Sequence, residues 1–225
     1  MITRLLATLA VSVAAQSAIA STVTFNFADG TNRTFTNGSH TFTGSDGSST
    51  LQVSTRNSGS TYTSYVAGSQ WGLLVCTQTR GGAPTSPSGS CGRNNSDVHW
   101  IDGGSSSTDP DESVVLTTGK RVTLLGATFY NNFGSNSDFD LLVDGTTRLD
   151  ERAVEQSVVF GPGNQFSGKE FAFLADGDWD YFKLKSATVD MPAVPIPAAA
   201  WLFGSALMSL TVVARRRDKQ APIVA

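Results

Sequence analysis

The chain has 225 residues and a formal net charge of −3 at pH 7. Its 22 Gly, 27 Ser and 25 Thr residues are about a third of the sequence, and the helix formers Lys, Glu and Gln are sparse, which argues against a helical bundle. Between residues 21 and 193, eighteen acidic residues outnumber eleven basic ones, a net charge of −7. A domain this acidic repels phosphate backbones, so nucleic-acid binding is not expected.

The N-terminus has the three-part pattern of a secretory signal peptide. A basic residue precedes an apolar run over residues 5–15, and Ala18 and Ala20 are the small residues that signal peptidase reads. The run of 11 residues is too short to cross a bilayer core of roughly 30 Å. We therefore predict that residues 1–20 are a signal peptide and that Ser21 is the mature N-terminus.

From residue 21 to residue 193 the sequence reads as short strands separated by turns. Alternating or continuous apolar segments predict strands at Thr22–Phe27, Leu51–Val53, Tyr62–Val66, Trp71–Cys76, Ser113–Leu116, Val122–Tyr130, Phe139–Val143, Val158–Phe160, Phe171–Leu174 and Tyr181–Val189. Turn signals include Asp46-Gly47, Thr118-Gly119 and Asp144-Gly145. Asp150–Val154 is the best candidate for a short turn of helix. The spacing predicts an all-β fold, a single antiparallel β-sandwich that is jelly-roll-like.

The chain has two cysteines and two histidines. Cys76 and Cys91 enclose a flexible loop, and the exported context is oxidising, so we predict a disulfide between them. His40 and His99 suggest no catalytic site, because a serine hydrolase turn of the G-x-S-x-G type is absent from the sequence.

Carboxylates cluster in three places, and these are the candidates for chemistry. The clusters are Asp176, Asp178 and Asp180; Asp138, Asp140 and Asp144; and Asp109, Asp111 and Glu112. The first resembles the start of a calcium loop, but Tyr181 and Ala187 stand where that loop requires Gly and Glu. We therefore keep a structural Ca²⁺ site of another type at the first cluster as a hypothesis. The alternatives are a solvated acidic surface and a carboxylate pair that cleaves a glycosidic bond.

Residues 21–193 contain three tryptophans, Trp71, Trp100 and Trp179, of which we expect at least two to be buried. Trp179 lies in a predicted loop between two aspartates, where its ring could stack on a sugar. Trp71 opens an apolar strand and is expected in the core.

The C-terminus carries a second targeting signal. The sequence Val194, Pro195, Ile196, Pro197 is followed by an apolar run over residues 198–214 and then by Arg215, Arg216 and Arg217. As a helix the run would be roughly 26 Å long, near the lower limit for a membrane span. The arginines should remain cytoplasmic and stop transfer. We predict a sorting segment over residues 194–217 with one transmembrane helix, and a cytoplasmic tail over residues 218–225.

This tail resembles the PEP-CTERM class of sorting signals, and most closely its VPLPA variant, with Ile196 where Leu is usual. The resemblance covers about 25 residues of the C-terminus. It implies an exosortase, an integral membrane enzyme of Gram-negative bacteria that resembles a transpeptidase, as the processing partner. It also implies a precursor anchored in the inner membrane and a product at the cell surface or in an exopolysaccharide matrix. A plain single-pass anchor is the alternative.

The sequence therefore predicts an exported surface or matrix protein, structural or adhesive, with no catalysis of its own. A module that binds exopolysaccharide is the first alternative, and a secreted glycan hydrolase is the second.

Overall fold

The computed structural model describes residues 20–28, 33–34, 39–57, 62–79, 100–102, 111–131, 137–177 and 180–192, together with Ala206. Residues 20–192 form one compact unit. Its described part is antiparallel β-sheet throughout, so the all-β prediction is confirmed. Within the described residues, no helix has the length and apolar character needed to cross a membrane.

Several predicted features lie outside the described residues. They are the signal peptide up to residue 19, the sorting motif at residues 194–197, the apolar run apart from Ala206, Arg215 to Arg217, Cys91 with its predicted disulfide to Cys76, His99, Asp109, Asp178 and Trp179.

The described residues contain thirteen strands in chain order. They are β1 (Ser21–Asn26), β2 (Arg33–Thr34), β3 (Ser39–Thr43), β4 (Thr50–Asn57), β5 (Tyr62–Ser69), β6 (Gly72–Thr79), β7 (Ile101–Asp102), β8 (Glu112–Tyr130), β9 (Asp138–Val143), β10 (Thr146–Ala153), β11 (Ser157–Val159), β12 (Phe166–Ala175) and β13 (Tyr181–Met191).

The long strand β8 organises the sheet. Its first half pairs with β4, and its second half pairs with β13 and β11, while β12 pairs along both halves. The main path runs β10-β9-β12-β8-β13-β6-β5-β2. Because β12 and β9 are antiparallel, with Leu174 opposite Asp140, the end of β12 lies beside the start of β9, where the candidate site is found.

Strand β1 closes the sheet against β13 with Ser21 opposite Met191 and Phe25 opposite Ala187. The start of the first strand and the end of the last strand therefore lie side by side. Phe25 and its neighbours Val23 and Phe27 are fully buried. The alternating apolar residues that predicted this strand are thus the residues that it contributes to the core.

One hydrophobic cluster collects side chains from both ends of the sheet. Its fully buried large members are Phe25, Phe27, Phe129, Phe139, Phe171, Phe173, Phe182, Leu51, Leu73, Ile101, Leu116 and Leu124. Phe129 contacts Phe139, Phe173 and Phe182 at ring-centroid distances of 4.9, 5.8 and 5.7 Å. These side chains therefore belong to one hydrophobic core.

Three local predictions are wrong. Thr118-Gly119 is not a turn but lies within β8, where Thr118 Oγ1 donates to the carbonyl oxygens of Lys120 (2.7 Å) and Lys169 (3.1 Å) and β12 pairs on both sides of it. Asp150–Val154 is not helical, because β10 runs to Ala153 on the edge of β9. Trp71 is 44% exposed instead of buried, since it occupies the turn before β6.

Candidate carboxylate site

Three carboxylates from three different elements meet at one end of the sheet. Asp138 begins β9, Glu151 lies near the end of β10, and Asp176 follows β12 directly. One carboxylate oxygen from each lies within 4.8 Å of the other two. Asp138 is half-buried, whereas Glu151 and Asp176 are exposed. We call these three residues the carboxylate site.

A bulge in β10 brings Glu151 to the site. The register with β9 shifts between Leu149 and Arg152, so that Asp150 and Glu151 stand where a regular ladder has one residue. Glu151 has a φ of 52°, which is uncommon for a residue with a side chain. Its backbone N–H donates to Asp140 Oδ1 at 2.9 Å. Bulges of this kind re-aim a side chain, and here the carboxylate turns toward the other two.

Asp180 fixes the backbone around the site. Its Oδ1 accepts from the backbone N–H of Asp138 at 2.9 Å, and its Oδ2 accepts from the backbone N–H of Gly177 at 2.8 Å. Its own N–H donates to the Gly177 carbonyl at 3.1 Å. Asp180 is buried and both of its oxygens are hydrogen-bonded. It therefore ties the start of β9 to the turn after β12.

The carboxylate site resists full ionisation. Burial, then the neighbouring charges of Asp180 and Glu151, raise the pKa of Asp138 to about 7. Burial and the charge of Glu151 also raise the pKa of Asp176, and burial raises that of Asp140. The Oδ1 atom of Asp138 is buried and has no hydrogen-bond partner among the described residues. A buried carboxylate oxygen without a partner is costly unless a proton or a cation compensates it.

Asp144, which the sequence grouped with Asp138, has a different role. Its Oδ1 accepts from the backbone N–H groups of Lys169 (2.8 Å) and Glu170 (3.1 Å). Its Oδ2 is 2.9 Å from Arg121 Nη2. These hydrogen bonds, and then the guanidinium charge, lower the pKa of Asp144. Its carboxylate is therefore fully partnered and ties the β9–β10 turn to β12.

The geometry of the carboxylate site suits a hard cation. Ca²⁺ binds six to eight oxygens at about 2.3–2.6 Å, so two oxygens on one ion are at most about 5 Å apart. The three oxygens of the site satisfy that limit. A divalent cation there would offset the repulsion among the three carboxylates. Water would complete the shell on the exposed side, where Glu151 and Asp176 face solvent.

The sequence identified part of this site. It singled out Asp138 and Asp176, but in separate clusters, and it missed Glu151, because a bulge on the neighbouring strand has no clear sequence signal. Asp180 lies next to the site, and its carboxylate accepts hydrogen bonds from two backbone N–H groups. His40 lies on β3, where its ring meets Phe42 edge-to-face at 4.9 Å.

Comparison with known proteins gives no match to any family model, curated protein or solved structure.

Proposed function

We propose that this chain is an exported surface or matrix protein, structural or adhesive, with no catalysis of its own. In this proposal, signal peptidase removes residues 1–20 and an exosortase-type enzyme processes the tail. One structural observation supports it. The compact unit spans residues 20–192 and its strands run from Ser21 to Met191, bounds that fall at the two predicted processing segments. The strands of the folded unit thus fit between the segments that processing would remove.

We further propose that the folded unit is a two-layer, jelly-roll-like sandwich. Support comes from the hydrophobic cluster, which unites side chains of strands that are far apart in the pairing order. Val23 of β1, Val66 of β5 and Leu141 of β9 all belong to it. A sheet whose distant strands share one core has to fold over itself.

The ectodomain, in this proposal, folds around a divalent cation, Ca²⁺, at the carboxylate site. The observations that carry this step are the three carboxylates, which each place an oxygen within 4.8 Å of the other two, and the buried Oδ1 of Asp138, which has no hydrogen-bond partner among the described residues.

Sorting is tested by the proline motif. In a Gram-negative host that carries an exosortase, replacing Pro195 and Pro197 together by alanine is expected to leave an unprocessed precursor in the membrane fraction. The reason is that the prolines hold the recognition segment extended and free of sheet pairing. Immunoblotting of membrane, surface and medium fractions, with intact mass of the product, is the measurement.

Two variants control for general effects of substitution. Pro192→Ala alters an exposed proline outside the motif and should be processed like the wild type. Replacing Arg215 to Arg217 should disturb the orientation in the membrane while leaving the recognition segment intact. Release of the double proline variant at the wild-type rate would contradict the sorting proposal, and the tail would then be a membrane anchor at most.

A further inference from the structure

Three aromatic rings stack on the outer side of the sheet, away from the phenylalanine core. Trp71 lies on Tyr130 with ring centroids 4.7 Å apart and planes 22° apart. Trp100 stacks on the same tyrosine at 5.8 Å and 8°. We call these residues the aromatic stack. Since Tyr130 ends β8 and the other two come from the β5–β6 turn and the start of β7, three separate elements build it.

The turn that presents Trp71 is firmly held. Its backbone N–H donates to Ser69 Oγ at 3.2 Å, and that hydroxyl donates to the Gly72 carbonyl at 2.9 Å. Gly72 has a φ of 122°, and a Cβ there would lie 2.6 Å from the carbonyl oxygen of Leu184. Only glycine fits at that position. The backbone on either side of Trp71 is therefore fixed before any ligand arrives.

The other end of the stack is anchored as well. The carbonyl of Trp100 accepts from the backbone N–H of Val75 at 3.2 Å. The ammonium of Lys183, a buried residue, lies 4.6 Å from the centroid of the Trp100 ring. Lys183 stands opposite Tyr130 in the β13–β8 ladder, which places the cation beneath the rings. Such a cation–π contact stabilises the ring orientation.

Although the stack is rigid, Trp71 is 44% exposed. Tyr130 stacks on one face of its ring. Among the described residues only Trp71 and Val159 are large hydrophobic side chains left exposed. Large aromatic side chains are usually buried, and a rigid exposed one is characteristic of a binding surface.

The surroundings of Trp71 favour a sugar over an apolar protein surface. Its neighbours in the turn are Ser69 and Gln70, of which Gln70 is exposed. A protein partner would need a contiguous apolar patch around a central aromatic residue. A pyranose ring, by contrast, offers one flat C–H face, which can stack on an aromatic ring, and a rim of hydroxyls, which can form hydrogen bonds with an exposed amide such as that of Gln70. Since residues 21–193 carry a charge of −7, an uncharged polymer meets no electrostatic repulsion there.

We propose that the aromatic stack is a binding site for an uncharged polysaccharide, with a pyranose ring seated on the indole ring of Trp71. This inference names the ligand of the proposed surface protein, and it rests on the proposed function because the polysaccharide would be met at the cell surface or in the matrix. Binding is measured on purified protein and sorting in cells, so that either can fail without the other.

The test uses the full chain, purified in a detergent that has no sugar headgroup. Affinity electrophoresis and quenching of tryptophan fluorescence are recorded with uncharged polymers (dextran, amylose, xylan, soluble cellulose and galactan) and with the anionic polymers alginate and polygalacturonate. We expect saturable binding to at least one uncharged polymer. Trp71→Ala should weaken it roughly tenfold or more, as for a buried aromatic contact at an interface.

Two variants separate loss of binding from loss of folding. Val159→Ala removes the other exposed large side chain and should bind like the wild type. Trp71→Phe keeps a ring and should retain part of the affinity. Thermal melting of each variant checks the fold. Absence of saturable binding to every uncharged polymer, tighter binding to the anionic ones, or unchanged affinity in folded Trp71→Ala would each overturn the proposal.

Discussion

Replacing Phe25 by alanine is expected to lower the free energy of unfolding by about 3–5 kcal/mol. Phe25 is fully buried in the hydrophobic cluster, and its strand is held against β13 opposite Ala187. The substitution removes the ring from the core and leaves a cavity that the surrounding strands fill only partly. Urea denaturation of wild type and variant, monitored by far-UV circular dichroism, measures the difference in unfolding free energy. The m-value, the slope of that free energy against urea concentration, should be the same for both proteins.

Thr22→Ala is the matched control, because Thr22 lies on the same strand with its side chain exposed. Its effect should stay within about 0.5 kcal/mol. If Phe25→Ala were as mild as Thr22→Ala, β1 would not belong to the cooperative core. The start of β1 at Ser21 would then no longer support the proposal that the folded unit begins at the predicted cleavage site.

The stability of the cation-free protein is expected to fall as the pH rises from about 4 to 8. The pKa of Asp138 is raised to about 7 in the folded protein, from its ordinary 3.8. The folded state therefore binds the proton more tightly than the unfolded state. The stabilisation is complete below the unfolded pKa and is lost as the pH passes through 7. Because Asp138 is only half-buried and solvent screens part of the effect, the loss should be about 1–2 kcal/mol.

Asp138→Asn supplies the control for this pH profile. The amide is uncharged at every pH, so this variant should lose the part of the decline between pH 4 and 8 that Asp138 contributes, while Asp140 and Asp176, whose pKa values are also raised, keep their part. Urea denaturation in the presence of a chelator, repeated at intervals of one pH unit, gives the two curves. Parallel curves for wild type and variant would show that Asp138 does not titrate in this range.

The fold class was predictable, because alternating apolar and polar residues within a short segment indicate a β-strand. Val23, Phe25 and Phe27 lie on one face in the sequence pattern and in the core. The β9–β10 turn was equally readable from Asp144-Gly145, where both residues adopt a positive φ. The polar strand β3 has no clear apolar alternation, since Phe42 is the only large apolar residue in it and tertiary pairing with β4 determines its structure.

The candidate site was only partly predictable, for a physical reason. Asp138 and Asp176 are 38 positions apart in the printed sequence, and strand pairing alone brings them together. Glu151 joins them through a bulge, which breaks the alternation from which strands are predicted. Trp71 was misplaced for a similar reason. The residues after it are apolar and form β6, but the tight turn leaves the indole itself on the surface.

Thermal melting of the full chain with and without calcium tests the central claim, that the ectodomain folds around a divalent cation at the carboxylate site. At pH 7.5, millimolar Ca²⁺ should raise the Tm by about 5–10 °C over the value in chelator, as binding to the native state alone requires at about a hundredfold excess over Kd. Asp138→Asn should lose most of that increase. Superimposable melting curves of the wild-type protein in Ca²⁺ and in chelator would contradict the account.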